Sequence, residues 1–172
     1  MSGETAEILR SVQQDDEIAL LKGLLEKYSP SEQEGPAVEW LVAEMARRGL
    51  QAHSDEAGNA VGVIGSGDRE VLLLGHIDTV PGRIAVRQEG DRLYGRGAVD
   101  AKGPLCTFVS AARAAAERMQ RESTDGAVGL RIVVVGAVEE ESASSRGARH
   151  ILAQHGAPDC VGDSDGVPGL EE

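Results

Sequence analysis

The stretch Val71-Leu72-Leu73-Leu74-Gly75-His76-Ile77-Asp78 decides the reading of the fold. Four apolar residues at successive positions suit a strand covered on both faces, the habit of buried strands in layered α/β proteins. The polar residues that follow would stand just beyond the carboxyl end of that strand, where ligands bind in open α/β sheets. His76 and Asp78 are two residues apart, so along an extended chain they point the same way and the carboxylate can orient the ring.

Downstream, a second buried strand is expected over Leu130 to Val138, followed at once by Glu139-Glu140-Glu141. Between the two strands lie a hairpin signal and a helix signal. Ile84 to Gln88 and Leu93-Tyr94 flank Glu89-Gly90-Asp91, and an Ala-rich helix is expected from about Pro104 to Arg121, with its proline in the tolerated first turn. Upstream, Ile18, Leu21, Leu24, Leu25 and Tyr28 recur at helical spacing over Asp15 to Tyr28. Ser31 with Glu34 matches a capping box for a second helix, whose inner face is Val38, Leu41, Val42 and Met45 and whose stop is Gly49. A short strand over Ala60 to Ile64 precedes the turn Gly65-Ser66-Gly67-Asp68, and a last helix is expected from Gly147 to Gln154. The order helix, helix, strand, strand, helix, strand, helix points to a layered α/β domain. No internal repeat interrupts it, and the polar stretch from Gly162 to Glu172 reads as disordered.

Composition narrows the function classes. At 172 residues and 41% hydrophobic content the chain suits one domain, and with only 2% aromatics its core must be built from Val, Leu, Ile and Ala. A net charge of −12 opposes binding to phosphate backbones and anionic membranes, so neither nucleic acid nor a membrane is an expected partner. Cys106 and Cys160 form no CxxC pair, which argues against a disulfide framework and a thiolate zinc site. With no basic-then-apolar leader and no bilayer-length apolar run, a cytoplasmic setting is expected.

Three places carry chemistry. The first is His76 with Asp78; alone, the pair could equally be a solvated strand end. The second is Gly95-Arg96-Gly97-Ala98-Val99-Asp100-Ala101-Lys102-Gly103-Pro104, whose glycines invite comparison with a dinucleotide loop. The third glycine of that pattern is replaced by Asp100, and a carboxylate there would repel a pyrophosphate. Asp100 suits a hard oxygen donor instead, although a lone aspartate before a helix is more often a cap. The third place is the Glu139 to Glu141 run, where adjacent carboxylates must be solvated or neutralised by a cation. All three fall at strand carboxyl ends or a helix start and can converge. Together they offer one imidazole and several carboxylates without thiolate, a donor set for a catalytic zinc, manganese or cobalt pair rather than a structural zinc.

In order, Gly75-His76-Ile77-Asp78-Thr79-Val80-Pro81-Gly82, Leu93-Tyr94-Gly95-Arg96-Gly97-Ala98-Val99-Asp100-Ala101-Lys102-Gly103 and Val138-Glu139-Glu140-Glu141-Ser142 resemble the metal motifs of the M20 metallopeptidases. That family includes aminoacylases, acetylornithine deacetylases and succinyl-diaminopimelate desuccinylases. The resemblance covers roughly residues 7 to 158 and implies a three-layer α/β/α catalytic domain of the zinc-peptidase type. It implies that His76 binds one of two divalent ions, zinc first with cobalt or manganese as alternates, and that Asp78 holds the His76 ring. Asp100 would bridge the two ions. Glu140 would be the general base and Glu141 a metal ligand, with Glu139 and Glu140 as the alternative register. The peptide bond after the bridging aspartate, here Asp100-Ala101, is cis in the family. The implied reaction is hydrolysis of a linear amide, in which Glu140 takes a proton from water and passes it to the leaving amine.

Within the family, Gly-Ala-Val-Asp-Ala-Lys-Gly-Pro-Leu and Gly-Ala-Val-Glu-Glu-Glu look most like hydrolases that release lysine or ornithine from an amino-group carrier protein in lysine and arginine biosynthesis. The alternatives are a deacylase of small acylated amino acids, of the acetylornithine or succinyl-diaminopimelate type, or an inactive fragment that acts only by binding. Since such carriers are acidic, Arg83, Arg87, Arg92 and Arg96 are candidates for a basic rim. Past Pro158-Asp159 the family continues with a strand ending in a Gly-Glu-Pro-type segment, whereas here Cys160-Val161-Gly162-Asp163-Ser164-Asp165-Gly166 shows no apolar strand. Residues 159 to 172 are therefore expected to form a non-homologous tail, with Asp163 or Asp165 as weak stand-ins for the lost carboxylate. The family's dimerisation domain, on which a homodimer depends, and its distal histidine are expected to be absent. His150 and His155 are read as surface residues. The expectation is thus a truncated catalytic domain.

Overall fold

The computed structural model describes residues 3–122, 129–155 and 160–163, with side chains described over 14–121, 129–155 and 160–162. Two helices come first, α1 at Gly3–Leu25 and α2 at Gly35–Arg47, followed by the strands β1 at Gln51–Ser54, β2 at Ala60–Gly65 and β3 at Arg69–His76. A hairpin of β4 at Arg87–Glu89 and β5 at Arg92–Tyr94 leads to α3 at Lys102–Glu122. The chain then runs through β6 at Leu130–Ala137, α4 at Arg146–His155 and β7 at Cys160–Asp163.

Five strands form a mixed sheet in the order β1-β2-β6-β3-β7. The β6, β3 and β7 strands run parallel, while β1 and β2 are antiparallel additions at one edge. The apolar run of β3 therefore lies between two strands, as its lack of alternation requires. Alternate residues of each strand feed separate cores. On one face Ala60, Ile132 and Val134 pack with Leu20 and Leu24 of α1, Leu41 and Met45 of α2, and Leu105 and Val109 of α3. On the other, Val61, Leu72, Val133 and Val135 pack with Ile151 of α4. Helices on both faces of one sheet make the three-layer α/β/α architecture that the family resemblance implies.

Close approach explains two glycines. A Cβ on Gly62 would lie 2.6 Å from the Met45 sulfur, so β2 can seat α2 only without a side chain there. A Cβ on Gly147 would lie 2.2 Å from Asn59 Oδ1, which lets the start of α4 press against the end of β6.

Three local expectations are corrected. Ser31 and Glu34 do not form a capping box: α2 begins at Gly35, and Glu34 stands at its N-cap without a side-chain cap hydrogen bond. Both side chains are engaged elsewhere, by residues distant in sequence. The polar edge strand β1 was not expected, since Gln-Ala-His-Ser has no apolar alternation. The segment after Pro158-Asp159 does contain a strand: Cys160, Val161, Gly162 and Asp163 pair in parallel with Val71 to Leu74. Backbone pairing along the exposed flank of β3 supports β7 without an apolar run of its own. Asp163 is the last residue of this strand, and Asp165 lies outside the described residues.

Candidate metal centre

The site forms where β3 and β6 end side by side, with His76 paired to Ala137 in the parallel register. Beyond those ends the chain supplies Asp78 from one strand and Glu139 to Glu141 from the other.

Asp78 is wholly buried and organises both segments. Its Oδ1 accepts the Glu140 amide at 3.1 Å, and its Oδ2 accepts the Glu141 amide at 3.0 Å and the Ser31 hydroxyl at 2.7 Å. Glu34 Oε1 accepts the preceding amide, that of Glu139, at 3.0 Å. Three successive N–H groups of the acidic turn are thus held by two carboxylates, which lets Glu139 keep a left-handed φ of 58°. Burial opposes the Asp78 charge, but hydrogen bonds from His76, Ser31 and the two amides outweigh it and hold its carboxyl below the usual range. Behind the turn, buried Asn59 accepts the Val138 amide at 3.0 Å and donates to Gly147 O at 3.1 Å and to Asp55 Oδ2 at 2.8 Å. Asn59 therefore ties the start of β2 to the end of β6 and the start of α4.

His76 is 2% exposed. Its Nδ1 lies 3.0 Å from the main-chain oxygen of Asp78 and 3.5 Å from Asp78 Oδ1. A carbonyl only accepts, so Nδ1 carries a proton and Nε2 faces outward. Nε2 meets Asp100 Oδ1 at 3.0 Å and Glu140 Oε2 at 3.8 Å. Without a cation at Nε2 these would be lone pairs directed at carboxylates. In the metal-free chain a proton fills that role: burial opposes the imidazolium, but Asp78, Asp100 and Glu140 overcome it and raise the group to about 9.

Donor atoms of His76, Glu140 and Glu141 lie within 4.8 Å of one another. Asp100, 71% exposed, lies outside that group of three but touches the same ring nitrogen. Its bond to Ala101 is cis, as the family resemblance implies. Glu139 is drawn away from the group: Arg146 pairs with its Oε1 at 2.8 Å, and Ser144 donates to its Oε2 at 2.6 Å. One imidazole and several carboxylates around a protonated ring nitrogen fit a divalent cation, by donor type and by the need for positive charge at that point.

Sequence reasoning missed Ser31, Glu34 and Asn59 as supports of this site. It also gave no task to Lys102, whose buried ammonium donates to Leu24 O at 3.3 Å and Lys27 O at 2.6 Å and so anchors the glycine-rich segment to the end of α1. Burial lowers that group to about 8. His150 and His155 are partly buried, the latter with Nδ1 2.7 Å from Glu70 Oε1. Cys106 and Cys160 are both free thiols. Among the described residues no helix is long and apolar enough to cross a membrane.

A three-layer α/β/α sheet with imidazole and carboxylate donors gathered beyond its parallel strand ends is the architecture of α/β metallopeptidases. The chain belongs to peptidase family M20/M25/M40, whose model matches residues 72–169. A Deinococcus radiodurans protein named LysW-lysine hydrolase is 54% identical over 129 residues, which is 73% of this chain and 33% of that protein. A Saccharolobus islandicus protein named LysW-lysine/LysW-ornithine hydrolase is 35% identical over 136 residues, 79% of this chain and 35% of that one. The chain thus spans about a third of the length of these two curated relatives. In fold it is similar to an M20 family metallo-carboxypeptidase from Sulfolobus solfataricus, with a TM-score of 0.66 at 20% identity over 86% of this chain and 37% of that one.

Proposed function

We propose that this chain carries the metal centre of a cytoplasmic amide hydrolase that releases lysine or ornithine from an amino-group carrier protein in lysine and arginine biosynthesis. The observation that carries the reading is the double grip of Asp78, which fixes the His76 ring on one side and the Glu140 and Glu141 amides on the other. The names of the curated relatives support the substrate class.

In this reading His76, Asp100 and Glu141 would hold the two divalent ions, zinc foremost. Such ions supply Lewis acidity to an amide carbonyl and acidify water. Glu140 takes the proton of the attacking water at its carboxylate and delivers it to the departing amine. Its 39% exposure leaves it open to solvent and substrate, while its amide stays fixed by Asp78. Asp78 keeps Nδ1 protonated through its main-chain oxygen, so that Nε2 is the ligating atom. Glu139, held by Arg146 and Ser144, takes no part, which favours the register with Glu140 as base and Glu141 as ligand.

The test is a chimera in which this chain replaces the matching third of the Deinococcus relative. Release of free lysine from carrier-linked lysine, faster than release of ornithine from acetylornithine and abolished by Glu140→Gln, is expected. A folded, zinc-loaded chimera whose Glu140→Gln form still releases lysine would overturn the assignment.

A further inference from the structure

The chain has a net charge of −12, yet residues 83 to 96 carry Arg83, Arg87, Arg92 and Arg96 against only Glu89 and Asp91. This local excess of cations sits beside the candidate metal centre. A groove of about 620 Å³ is lined by Asp100 and Glu141 together with residues of the hairpin, and both Arg92 and Arg96 line it. Its remaining wall includes Val80, Ile84, Leu93 and Val99, of which Val80, Ile84 and Val99 are 42%, 45% and 84% exposed. The groove thus brings together oxygen donors, apolar side chains and two guanidinium groups.

The arginines of this segment differ in what they already touch. Arg83 stacks on Tyr28 at 4.1 Å, and Arg87 stacks on Tyr94 at 4.0 Å and pairs with Glu89. Arg96 donates through Nε to Gly82 O at 2.9 Å, which fixes the base of its guanidinium and leaves the terminal nitrogens as donors. No hydrogen bond or ion pair engages the Arg92 guanidinium among the described residues. A fixed and an uncommitted guanidinium lining one groove supply the charge and the N–H donors that a carboxylate takes.

We propose that this groove is the carboxylate-recognition subsite of the centre: it seats a short aliphatic segment of the substrate on Val80, Ile84 and Val99 and pairs that segment's carboxylate with Arg92 and Arg96. The proposal rests on the amide-hydrolase reading only for calling the ligand a substrate. The carboxylate can belong to the acyl part of the amide, as in a glutaryl or γ-glutamyl group, or to the released amino acid. Both share one chemistry, a carboxylate carried on the aliphatic part that flanks the amide.

Two ligand pairs distinguish the sources in an NMR titration of the 172-residue chain, with and without added zinc. N-methylglutaramate against N-methylpentanamide isolates an acyl-side carboxylate, and N-acetylnorvaline against N-butylacetamide isolates one on the amine side. The carboxylated member of at least one pair is expected to bind about fivefold more tightly, the upper range for a solvent-facing ion pair, with shifts at Val80, Leu93 and Val99. Arg92→Gln should remove that preference, Arg92→Lys should keep part of it, and Arg113→Gln on α3 should leave it intact. Equal affinity within both pairs, or a preference that survives Arg92→Gln, would overturn the proposal. Because binding is read without turnover, a negative result here is separable from failure of the hydrolase reading, which would show as loss of chelator-sensitive amide cleavage by the chimera.

Discussion

Asp78 and Asp100 both approach the His76 ring, and replacing each by asparagine should have very different consequences. In Asp78→Asn one side-chain oxygen remains to accept either the Glu140 or the Glu141 amide, while the new NH₂ faces the other N–H. Two amide bonds to an ionised acceptor, worth about 1.5–3 kcal/mol each, are replaced by one neutral bond of about 1 kcal/mol and an unpaired buried donor. The net loss is about 3 kcal/mol, a large share of the roughly 5–15 kcal/mol that stabilises a domain. Asp100 is 71% exposed and supports no backbone amide, so Asp100→Asn removes only its solvent-facing bond to the His76 ring and should cost about 1 kcal/mol or less. Urea denaturation of the metal-free variants, followed by circular dichroism, measures both. Equal losses for the two substitutions, or a loss below about 1 kcal/mol for Asp78→Asn, would refute the idea that Asp78 is the brace of the acidic turn.

Other predictions follow from neighbouring contacts. His76 is raised from 6.5 to about 9, so its stabilising charge is fully present below pH 6.5 and is lost as pH rises through 9. The metal-free chain should lose on the order of 3 kcal/mol across that window, and comparison with His76→Gln, which should flatten this contribution, isolates it from Lys102. Asn59→Ala orphans the buried Val138 amide and should cost about 2 kcal/mol, read as a lowered thermal midpoint. Gly147→Ala drives a methyl into Asn59 Oδ1 and should destabilise by about 2 kcal/mol, with amide shifts spreading to Glu139 and Glu140 in a heteronuclear correlation spectrum. Ser31→Ala removes one hydroxyl bond to Asp78 and should cost about 1 kcal/mol in urea denaturation.

What the sequence disclosed depended on whether the signal was local. The buried strands β3 and β6 were legible because their apolar runs report burial directly, and the polar groups after them fall at strand ends by the topology of any parallel α/β sheet. Ser31 and Glu34 misled because a capping box is a rule about residues three apart. The partners they take are Asp78 and the amide of Glu139, 47 and 105 residues away. The β1 and β7 strands escaped notice because edge strands can be held by backbone pairing alone, without the alternation that marks a half-buried strand. Nor does three glutamates in a row reveal which one turns away. That choice depends on Arg146 and Ser144 and on the left-handed backbone at Glu139, features that emerge only once α4 has packed.

In the proposed centre His76, Asp100 and Glu141 hold a divalent cation while Glu139 does not. Zinc titration of the dialysed chain by isothermal calorimetry tests it most directly, with Glu139→Gln and Glu141→Gln run in parallel. Stoichiometric zinc binding that survives Glu139→Gln and weakens at least about tenfold in Glu141→Gln is expected. No zinc uptake by the unaltered chain, or a loss at Glu139→Gln equal to that at Glu141→Gln, would contradict it.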